Sequence, residues 1–435
     1  MSTKNKSTKA WIVTVDMGYG HQRATHALRH LAYGEIINAN THRGLSKKDK
    51  EIWLNGRKIY ESISRFKHVP LIGNLVCNIF DSFQKIVLFY PRRDLSRPTL
   101  QLRGTMRAIK NKKWGEKLID FLKIKKELSI ITSFFIPAYM AEHFEYPSDI
   151  YCIICDADIS RAWAPLNPAM SKIKYFAPTE RVVERLKLYG VNPSNIYLTG
   201  FPLPLENLGS NELDILKHDL GHRLINLDPE KVYINQYKKT IVNQLGSDNF
   251  CQKPSHPLTL MFAVGGAGAQ RELGVAIVKS LKKRVLNNEI NINLVAGAHN
   301  DVANYFKKEL SKLGLHSKIG DGIDIILSNN KQDYFLKFNK ALRTTDILWT
   351  KPSELSFYCA LGIPIIIAPP IGSQEYFNQE WLRKLGAGIR QYDPKYCGEW
   401  LFDWVNSGWL AEAAIQGFLE APNNGTFEIE KIIGL

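Results

Sequence analysis

Short apolar runs recur along the chain in two separate series, and each run is followed by a polar turn and a helical pattern. The runs of the first series span residues 11–15, 129–132, 150–155, 174–177 and 196–199. Those of the second span residues 258–264, 292–296, 323–327, 347–349 and 363–367. Short β-branched runs that alternate with amphipathic helices are typical of a parallel sheet covered on both faces. The pattern predicts an α/β protein with two doubly wound, Rossmann-like domains.

The stretches around these two series set the predicted domain limits. The N-terminal domain is predicted over residues 1–205, with a mostly helical insertion over about 43–127. Residues 206–256 are polar and contain several turn residues, which is typical of a linker with an insertion. The second domain follows over 257–395. Residues 396–435 have a helical pattern that includes Trp400, Trp404 and Trp409. These tryptophans indicate packing, either locally or back against the N-terminal domain.

The formal net charge of +15 is concentrated in one segment of the chain. Residues 43–126 contain 21 Lys and Arg against seven Asp and Glu, with aromatic residues interleaved among them. Such a segment attracts a polyanion, either nucleic acid or an anionic lipid surface. No recognised nucleic-acid module is present. We therefore expect an anionic membrane surface rather than nucleic acid, the alternative being an ordinary amphipathic layer whose aromatic side chains face the core.

Apolar length and cysteine spacing bear on where the protein acts. No uncharged apolar stretch reaches the roughly 18 residues that a membrane-spanning helix needs, and the first apolar run is too short for a signal-peptide core. Cys152 and Cys155 form a C-x-x-C pair inside an apolar, strand-like run without a second pair or a His cluster. This favours buried thiols in a reducing compartment. We expect a cytoplasmic protein that binds the inner face of the membrane peripherally.

A glycine-rich turn opens the second series. Gly265, Gly266 and Gly268 follow the run at 258–264 and precede a helical pattern. Glycines at such a turn allow the backbone to approach a ligand, and the helix N-terminus offers N–H groups that suit a diphosphate. A tight turn would need the same glycines, and no Walker sequence follows. The turn is a candidate nucleotide site.

Two polar loops follow later strands of the same series. Lys351 comes directly after the run at 347–349, and Ser353 and Glu354 open the next helix. The carboxyl ends of parallel strands form the ligand edge of a sheet, so the Lys351 ammonium is expected there. The next loop offers donors and acceptors for sugar hydroxyls, from Gly372, Gln374, Glu375 and Asn378. The alternative is that these residues only cap a helix.

The N-terminal domain has candidate residues at equivalent positions. Gly18, Gly20 and His21 lie between the first strand and its helix. A helix N-terminus favours a neutral imidazole, which can act as a base, although a lone histidine can also be structural. Asp156 and Asp158 follow the run at 150–155. An Asp-x-Asp pair can hold a divalent cation, but caps and turns are the more common role, so we predict no metal site.

In this order the loops resemble those of one group of GT-B glycosyltransferases. The group contains the monogalactosyldiacylglycerol synthases and the processive diacylglycerol glucosyltransferases, and more distantly the lipid-II-forming N-acetylglucosaminyltransferase. The resemblance rests on the Gly-x-Gly-His turn, the loop with Trp163, Thr199-Gly-Phe-Pro202 and the three C-terminal loops. It covers residues 10–40, 128–205 and 257–390. It implies two Rossmann-like domains facing across a cleft.

The resemblance also implies an activity and roles for residues. It implies transfer from a nucleotide-sugar donor, a UDP-sugar, to a lipid-linked acceptor, with inversion and without a cofactor or metal. His21 would be the base, and Lys351 would hold the diphosphate together with the glycine turns. Gln374 and Glu375 would contact the sugar, with Gly372 and Asn378 in the same loop. The acceptor side would include Asp156, Asp158 and Trp163.

The chain departs from the pattern of the group after Lys351. Ser353 and Glu354 replace a glycine pair, and the helix reaches Gly362 about two residues sooner than in the group. The position of the usual ribose-binding acid falls on Phe357 or Cys359, so Glu354 is predicted to take over that contact. A nucleotide-sugar epimerase and a non-catalytic basic binding protein remain alternatives. The sugar, the acceptor and the linkage stay open.

Overall fold

The computed structural model describes residues 9–55, 86–263, 270–370 and 372–434. Its strands are β1 (Trp11–Thr14), β2 (Ile37–Asn38), β3 (Ile130–Thr132), β4 (Ile150–Ile153), β5 (Ile173–Ala177), β6 (Ile196–Leu198), β7 (Thr259–Ala263), β8 (Asn291–Gly297), β9 (Ile323–Leu327), β10 (Ile347–Thr350), β11 (Ile365–Ile367) and β12 (Gly388–Arg390). They form two six-stranded sheets, in the orders β2-β1-β3-β4-β5-β6 and β12-β11-β10-β7-β8-β9. All paired strands are parallel. The predicted α/β class with two doubly wound, Rossmann-like sheets is confirmed.

Helices connect the strands of both sheets. Those of the first half span Tyr19–Ala27, Leu100–Lys112, Glu116–Leu122, Phe135–His143, Glu180–Leu188 and Leu205–Leu208. Those of the second half span Asp214–Leu227, Val232–Leu245, Arg271–Leu286, Asn300–Lys312, Lys331–Leu342, Ser373–Lys384, Cys397–Asn406, Trp409–Glu420 and Gly425–Ile432. A 3₁₀ helix at Glu354–Leu361 joins β10 to β11. None of the helices in the described part of the chain has the length and apolar character needed to cross a membrane.

The chain folds into two compact units. The first comprises Met1–Pro202, Gly372–Phe377 and Asn424–Leu435, and the second comprises Leu203–Ile371 and Asn378–Asn423. The last helix therefore belongs to the first unit. There the His30 imidazole bonds to the Glu430 carboxylate, and a Cβ on Gly425 would lie 2.5 Å from the Phe201 carbonyl oxygen. The close approach explains why glycine begins this helix.

Residues 206–256 are mainly helical and lie in the second unit, where the sequence favoured a linker. In the helix Asp214–Leu227, Leu216, Leu220, Leu224 and Leu227 are buried at helical spacing. Arg223 on this helix is also buried, and its guanidinium donates to the Thr345 and Leu361 carbonyls. Several polar residues on the helix obscured this apolar period in the sequence.

The tryptophans near the C-terminus pack locally. Trp400 and Trp404 are buried, with ring centroids 4.4 Å apart, and Trp400 lies 5.3 Å from Trp349 on β10. Trp409 remains 41% exposed. Of the two packing alternatives, the structure favours the local one for these side chains.

Among the cysteines of the described residues, Cys152 and Cys155 are buried free thiols, as the sequence predicted.

Candidate functional site

The candidate residues follow the strands at which the order of each sheet reverses. In the first sheet β1 lies between β2 and β3, and in the second β7 lies between β8 and β10. At such a switch point the loops at the carboxyl ends of adjacent strands diverge and leave a crevice, which is where open α/β sheets bind ligands. β1 leads into the helix that carries His21, and β10 leads to Lys351. Each unit therefore places a predicted functional residue at its own switch point.

His21 lies in the first turn of the helix Tyr19–Ala27. Gly18 precedes this helix with φ 107° and ψ 168°, a conformation almost restricted to glycine. His21 Nδ1 lies 2.7 Å from the Ser133 carbonyl oxygen. Because a carbonyl only accepts hydrogen bonds, Nδ1 carries the proton and Nε2 keeps its lone pair. The backbone thus selects the tautomer that a base at Nε2 requires.

Ser133 was not predicted from the sequence, although it directly follows β3. Its N–H donates to the Val13 carbonyl at 3.3 Å, and its hydroxyl lies 3.4 Å from Thr14 Oγ1. Ser133 and Thr14 are both buried. These bonds join the carboxyl ends of β1 and β3, so the partner of the His21 imidazole is held in place. The signal in the sequence was only the position of Ser133 at a strand end.

Burial lowers the pKa of His21 to about 4, while the bond to the Ser133 carbonyl opposes this shift. Phe134 and Trp163 contribute the apolar surroundings, with ring centroids 4.8 Å and 6.2 Å from the imidazole. Part of the His21 side chain remains exposed. The imidazole is therefore neutral near pH 7 and can accept a proton. We expected neutrality from the helix dipole, whereas burial is the main cause.

Asp158 is buried in an ion pair. It is 1% exposed, and its two carboxylate oxygens each accept from the Arg185 guanidinium at 2.8 Å. Its charge is thus neutralised inside the first unit, and its acceptor-side role stays a prediction. Asp156 is partly exposed. Trp163 is buried beside His21.

In the described ranges, no group of three or more His, Cys, Asp or Glu side chains is arranged to hold a metal ion.

In the second unit, a hydrogen bond joins the carboxyl ends of β7 and β10. Thr350 Oγ1 donates to the Ala263 carbonyl at 3.2 Å. Lys351 follows at once and is partly exposed, and the Ser353 N–H donates to the Lys351 carbonyl at 2.8 Å in a tight turn. The predicted diphosphate residues Gly265, Gly266 and Gly268 lie outside the described residues. Among the described residues, the turn at Lys351 is therefore the part of the predicted diphosphate site whose geometry is known.

The helix after Lys351 is a 3₁₀ helix of eight residues, Glu354–Leu361. A 3₁₀ helix rises about 2.0 Å per residue against about 1.5 Å in an α-helix, so eight residues cover the length of about eleven α-helical residues. The tighter winding offsets the two residues by which this helix is shorter than in the group. Phe357 and Cys359 are buried, whereas Glu354 is partly exposed in the first turn. The ribose contact of Glu354 stays a prediction.

Gln374 and Glu375 lie in the first turn of the helix Ser373–Lys384, and both are partly exposed, as is Gly372 before it. Asn378 is different. It is fully buried, and its Nδ2 donates to the Pro352 carbonyl at 3.2 Å. It thus joins this helix to the turn beside Lys351, and its predicted contact with a sugar stays a prediction.

The chain is similar in sequence to the processive diacylglycerol β-glucosyltransferase of Bacillus subtilis (strain 168). The two are 22% identical over 283 residues, which cover 64% of this chain and 60% of the relative. The match thus spans less than two thirds of the relative's length. A family model described as a domain of unknown function (DUF6938) matches residues 248–390.

Two solved structures align with most of this chain at low TM-scores. The UDP-GlcNAc 2-epimerase from Neisseria meningitidis bound to UDP-GlcNAc has a TM-score of 0.44 and 14% identity, with 82% of this chain and 87% of that chain covered. The glycosyltransferase from Rickettsia africae ESF-5 has a TM-score of 0.42 and 15% identity, with 98% and 99% covered. At such TM-scores neither structure bears on function. The sequence likeness confirms the predicted resemblance to the processive diacylglycerol glucosyltransferases.

Proposed function

We propose that this protein is a glycosyltransferase that moves a sugar from a nucleotide-sugar donor, a UDP-sugar, to an acceptor hydroxyl. One observation carries the proposal: a neutral imidazole follows β1 and a lysine follows β10, each at the switch point of its own sheet. Glycosyl transfer requires a group that accepts the hydroxyl proton and positive charge that stabilises the departing diphosphate. His21 and Lys351 supply these two chemistries. The resemblance to the diacylglycerol glucosyltransferases supports the same reaction.

On the acceptor side, His21 Nε2 is the proposed base. With a pKa of about 4 it is a weak base towards a free hydroxyl. As the new bond between the acceptor oxygen and the sugar carbon forms, the pKa of that hydroxyl falls, and transfer of the proton to Nε2 becomes favourable. Attack from the side opposite to the leaving group inverts the sugar carbon. General-base catalysis of this kind contributes about 10²- to 10⁴-fold in rate.

On the donor side, Lys351 is proposed to bind the diphosphate with the glycine turn, which takes the place of a metal ion. The N-terminal turn of the 3₁₀ helix, with Ser353 and Glu354, contributes N–H groups for phosphate and a carboxylate for the ribose hydroxyls. Gln374 and Glu375 are proposed to bind the hydroxyls of the transferred sugar. This assignment follows the resemblance residue by residue, apart from Ser353 and Glu354, which replace a glycine pair of the group.

The proposed acceptor is a lipid at the cytoplasmic face of a membrane. Among the described residues of the basic segment, five large apolar side chains are exposed, namely Leu54 (49%), Leu88 (76%), Tyr90 (65%), Leu100 (77%) and Ile124 (69%). Arg92, Arg93, Arg103 and Arg107 are exposed near them in sequence. Apolar side chains among basic ones are typical of surfaces that bind anionic lipid from one side. This supports peripheral docking by the first unit.

A thermal-shift screen tests the donor side. Wild-type protein is heated with UDP-, GDP-, dTDP- and ADP-sugars, each near 100 times its Kd where binding occurs. A specific donor at that concentration stabilises the native state by about 2.7 kcal/mol. Lys351→Ala should abolish most of the shift, whereas Lys279→Ala, which removes an exposed lysine of the same unit, should preserve it. No shift with any nucleotide sugar would contradict the proposal.

A transfer assay tests the acceptor side. The donor identified in the screen is given with diacylglycerol in anionic vesicles, and labelled glycolipid is measured. Asn can still donate to the Ser133 carbonyl but offers no imidazole base, so His21→Asn should keep the donor-induced thermal shift and lower kcat by about 10²- to 10⁴-fold. Isomerisation of the donor sugar without any acceptor would instead identify an epimerase.

A further inference from the structure

Residues 157–165, the Trp163 loop, follow β4 and are held by side chains that bond to their backbone. Five carbonyls of the loop accept from buried donors: Thr179 to Ala157 (3.0 Å), Tyr189 to Ile159 (2.7 Å), Tyr139 to Ala162 (2.7 Å), Tyr175 to Trp163 (3.0 Å) and Arg161 to Pro165 (2.9 Å). Arg161 also donates to the Ala164 carbonyl. These side-chain donors satisfy the backbone carbonyls of the loop, as main-chain N–H groups do inside helices and sheets.

The three tyrosines reach the loop from different elements. Tyr139 lies on the helix Phe135–His143, Tyr175 on β5, and Tyr189 at the end of the helix Glu180–Leu188. None of the three is more than 1% exposed. Loop carbonyls usually bond to water, and a buried carbonyl that lacks a partner is costly. Donors from three elements therefore restrict the loop to one conformation.

That conformation determines where the Trp163 ring lies. The ring centroid is 5.3 Å from Phe135 and 6.1 Å from Phe134, and it is 6.2 Å from His21 at an interplanar angle of 40°. Phe134 lies 4.8 Å from His21. The imidazole therefore lies against two aromatic rings and is bonded to Ser133. If Trp163 shifted, the imidazole would gain room to rotate away from that carbonyl.

We infer that Tyr139 and Tyr175 are positioning residues, which hold Trp163 so that the imidazole of His21 keeps Nδ1 on the Ser133 carbonyl and Nε2 available. Tyr175 acts most directly, because its hydroxyl donates to the carbonyl of Trp163 itself. Tyr139 donates to the carbonyl of Ala162, the residue directly before Trp163. Tyr189 bonds to Ile159, four residues before Trp163, so its hydroxyl fixes the start of the loop rather than the backbone at Trp163, and it serves as the matched control position. The expected effect of these tyrosines on turnover rests on the proposed function. Their expected effect on the tautomer of the His21 imidazole does not.

A comparison of the variants Tyr175→Phe and Tyr189→Phe tests the inference. Each substitution removes one buried hydroxyl and leaves one loop carbonyl without its donor, so both should lower the melting temperature. Only Tyr175→Phe should lower kcat, by about tenfold or more at an unchanged donor KM, because small displacements of reacting groups cost up to about 10²-fold. Equal losses of kcat in the two variants would overturn the inference. If Tyr175→Phe does not fold, Tyr139→Phe takes its place.

A second measurement is independent of catalysis. In wild-type protein the side-chain ¹⁵N signals of His21 should show a protonated Nδ1 and an unprotonated Nε2. In Tyr175→Phe they should report a mixture of tautomers, whereas Tyr189→Phe should keep the wild-type pattern. Unchanged His21 signals in Tyr175→Phe would overturn the inference. An absence of transfer activity in wild type, with the tautomer difference present, would count against the proposed function alone.

Discussion

His21 changes its affinity for a proton when the chain folds. Its pKa falls from 6.5 to about 4, mainly through burial. Between these values the unfolded chain binds more protons than the native state, so the free energy of unfolding rises with pH. The contribution is complete above pH 6.5 and is lost as the pH falls towards 4. Its full size is about 3 kcal/mol, since each pKa unit corresponds to about 1.36 kcal/mol.

This predicts a pH-dependent difference between wild type and His21→Asn. Between pH 7.5 and pH 5 the wild-type protein should lose about 2 kcal/mol more of unfolding free energy than the variant, because Asn has no proton to gain. Urea denaturation at several pH values measures the difference. A difference that does not change with pH would show that the folded imidazole titrates as it does in the unfolded chain.

Gly18 allows a second prediction at the scale of one residue. A Cβ at Gly18 would meet no atom within 4 Å, so only its φ of 107° opposes substitution. Gly18→Ala should therefore destabilise the protein by about 1–3 kcal/mol through backbone strain. Gly104 is the matched control: it also has open space around it, but it lies inside the helix Leu100–Lys112.

Gly104→Ala should be stabilising by about 0.5–1 kcal/mol, because alanine loses less backbone entropy in a helix. The two substitutions add the same methyl group and should change stability in opposite directions. Thermal and urea unfolding of both variants provide the measurement. Two effects of the same sign would mean that the turn before His21 does not require the conformation of glycine.

The helix Glu180–Leu188 carries two ion pairs in very different surroundings. Arg185 and Asp158 are buried, at 0% and 1% exposure, with a separation of 2.8 Å. Lys187 and Glu184 are also 2.8 Å apart but are 43% and 36% exposed. Removing one partner of a buried pair leaves an uncompensated charge and costs about 3–5 kcal/mol. Exposed pairs contribute little, since water screens them.

Arg185→Met should therefore lower the free energy of unfolding by about 3–5 kcal/mol, and Lys187→Met by less than about 0.5 kcal/mol. Both substitutions replace a long cation by an apolar side chain on the same helix, so the comparison isolates burial. Denaturant titrations measure both values. A small loss in Arg185→Met would indicate that Asp158 reaches water when its partner is removed.

Sequence periodicity predicted the elements well where one face of each element is apolar. Ten of the twelve described strands were found because their runs of β-branched residues are short and bounded by turns, whereas the two- and three-residue edge strands β2 and β12 were too short to be predicted. The helix Asp214–Leu227 was missed because its four buried leucines stand among polar residues. The 3₁₀ winding of Glu354–Leu361 was not predicted either, since an apolar run of this length is compatible with both helix types.

Across the whole molecule, the sequence predicted which loops carry candidate chemistry but not how their residues pair. His21 was identified because it lies in the glycine turn after the first strand, and Lys351 because it directly follows a strand. The partner of His21, the Ser133 carbonyl, lies 112 residues away in the chain. The pairing of Asp158 with Arg185 spans 27 residues. Such pairings arise from the order of the strands in a sheet, and no local pattern of residues in the sequence indicates that order.

The first unit also links its exposed basic segment to the candidate site. The guanidinium of Arg161 donates through Nε to the Ser96 carbonyl at 2.9 Å and also to carbonyls of the Trp163 loop. The Leu95 N–H donates to the Leu188 carbonyl at 2.9 Å. The chain around Leu88 and Tyr90 is thus fixed to the unit that contains His21. Docking of this segment on a membrane would bring that unit to the lipid surface.

Charge reversal on the helix Leu100–Lys112 tests this docking. Arg103 and Arg107 are exposed one turn apart, and Lys279 and Lys283 have the same spacing and exposure on the helix Arg271–Leu286 of the second unit. Each basic residue near an anionic surface contributes about 1 kcal/mol to binding. The double change Arg103→Glu and Arg107→Glu should therefore weaken partitioning onto phosphatidylserine vesicles by at least about 2 kcal/mol, or about thirtyfold.

The double change Lys279→Glu and Lys283→Glu alters the net charge equally, so it separates local docking from overall attraction. It should leave vesicle flotation close to that of wild type, and raising the salt concentration should weaken binding of both proteins because ions screen the surface potential. Equal losses in the two double variants would mean that net charge alone draws the protein to the vesicle. Equal flotation of all proteins on neutral and anionic vesicles would exclude electrostatic docking, and the acceptor would then have to reach His21 by another route.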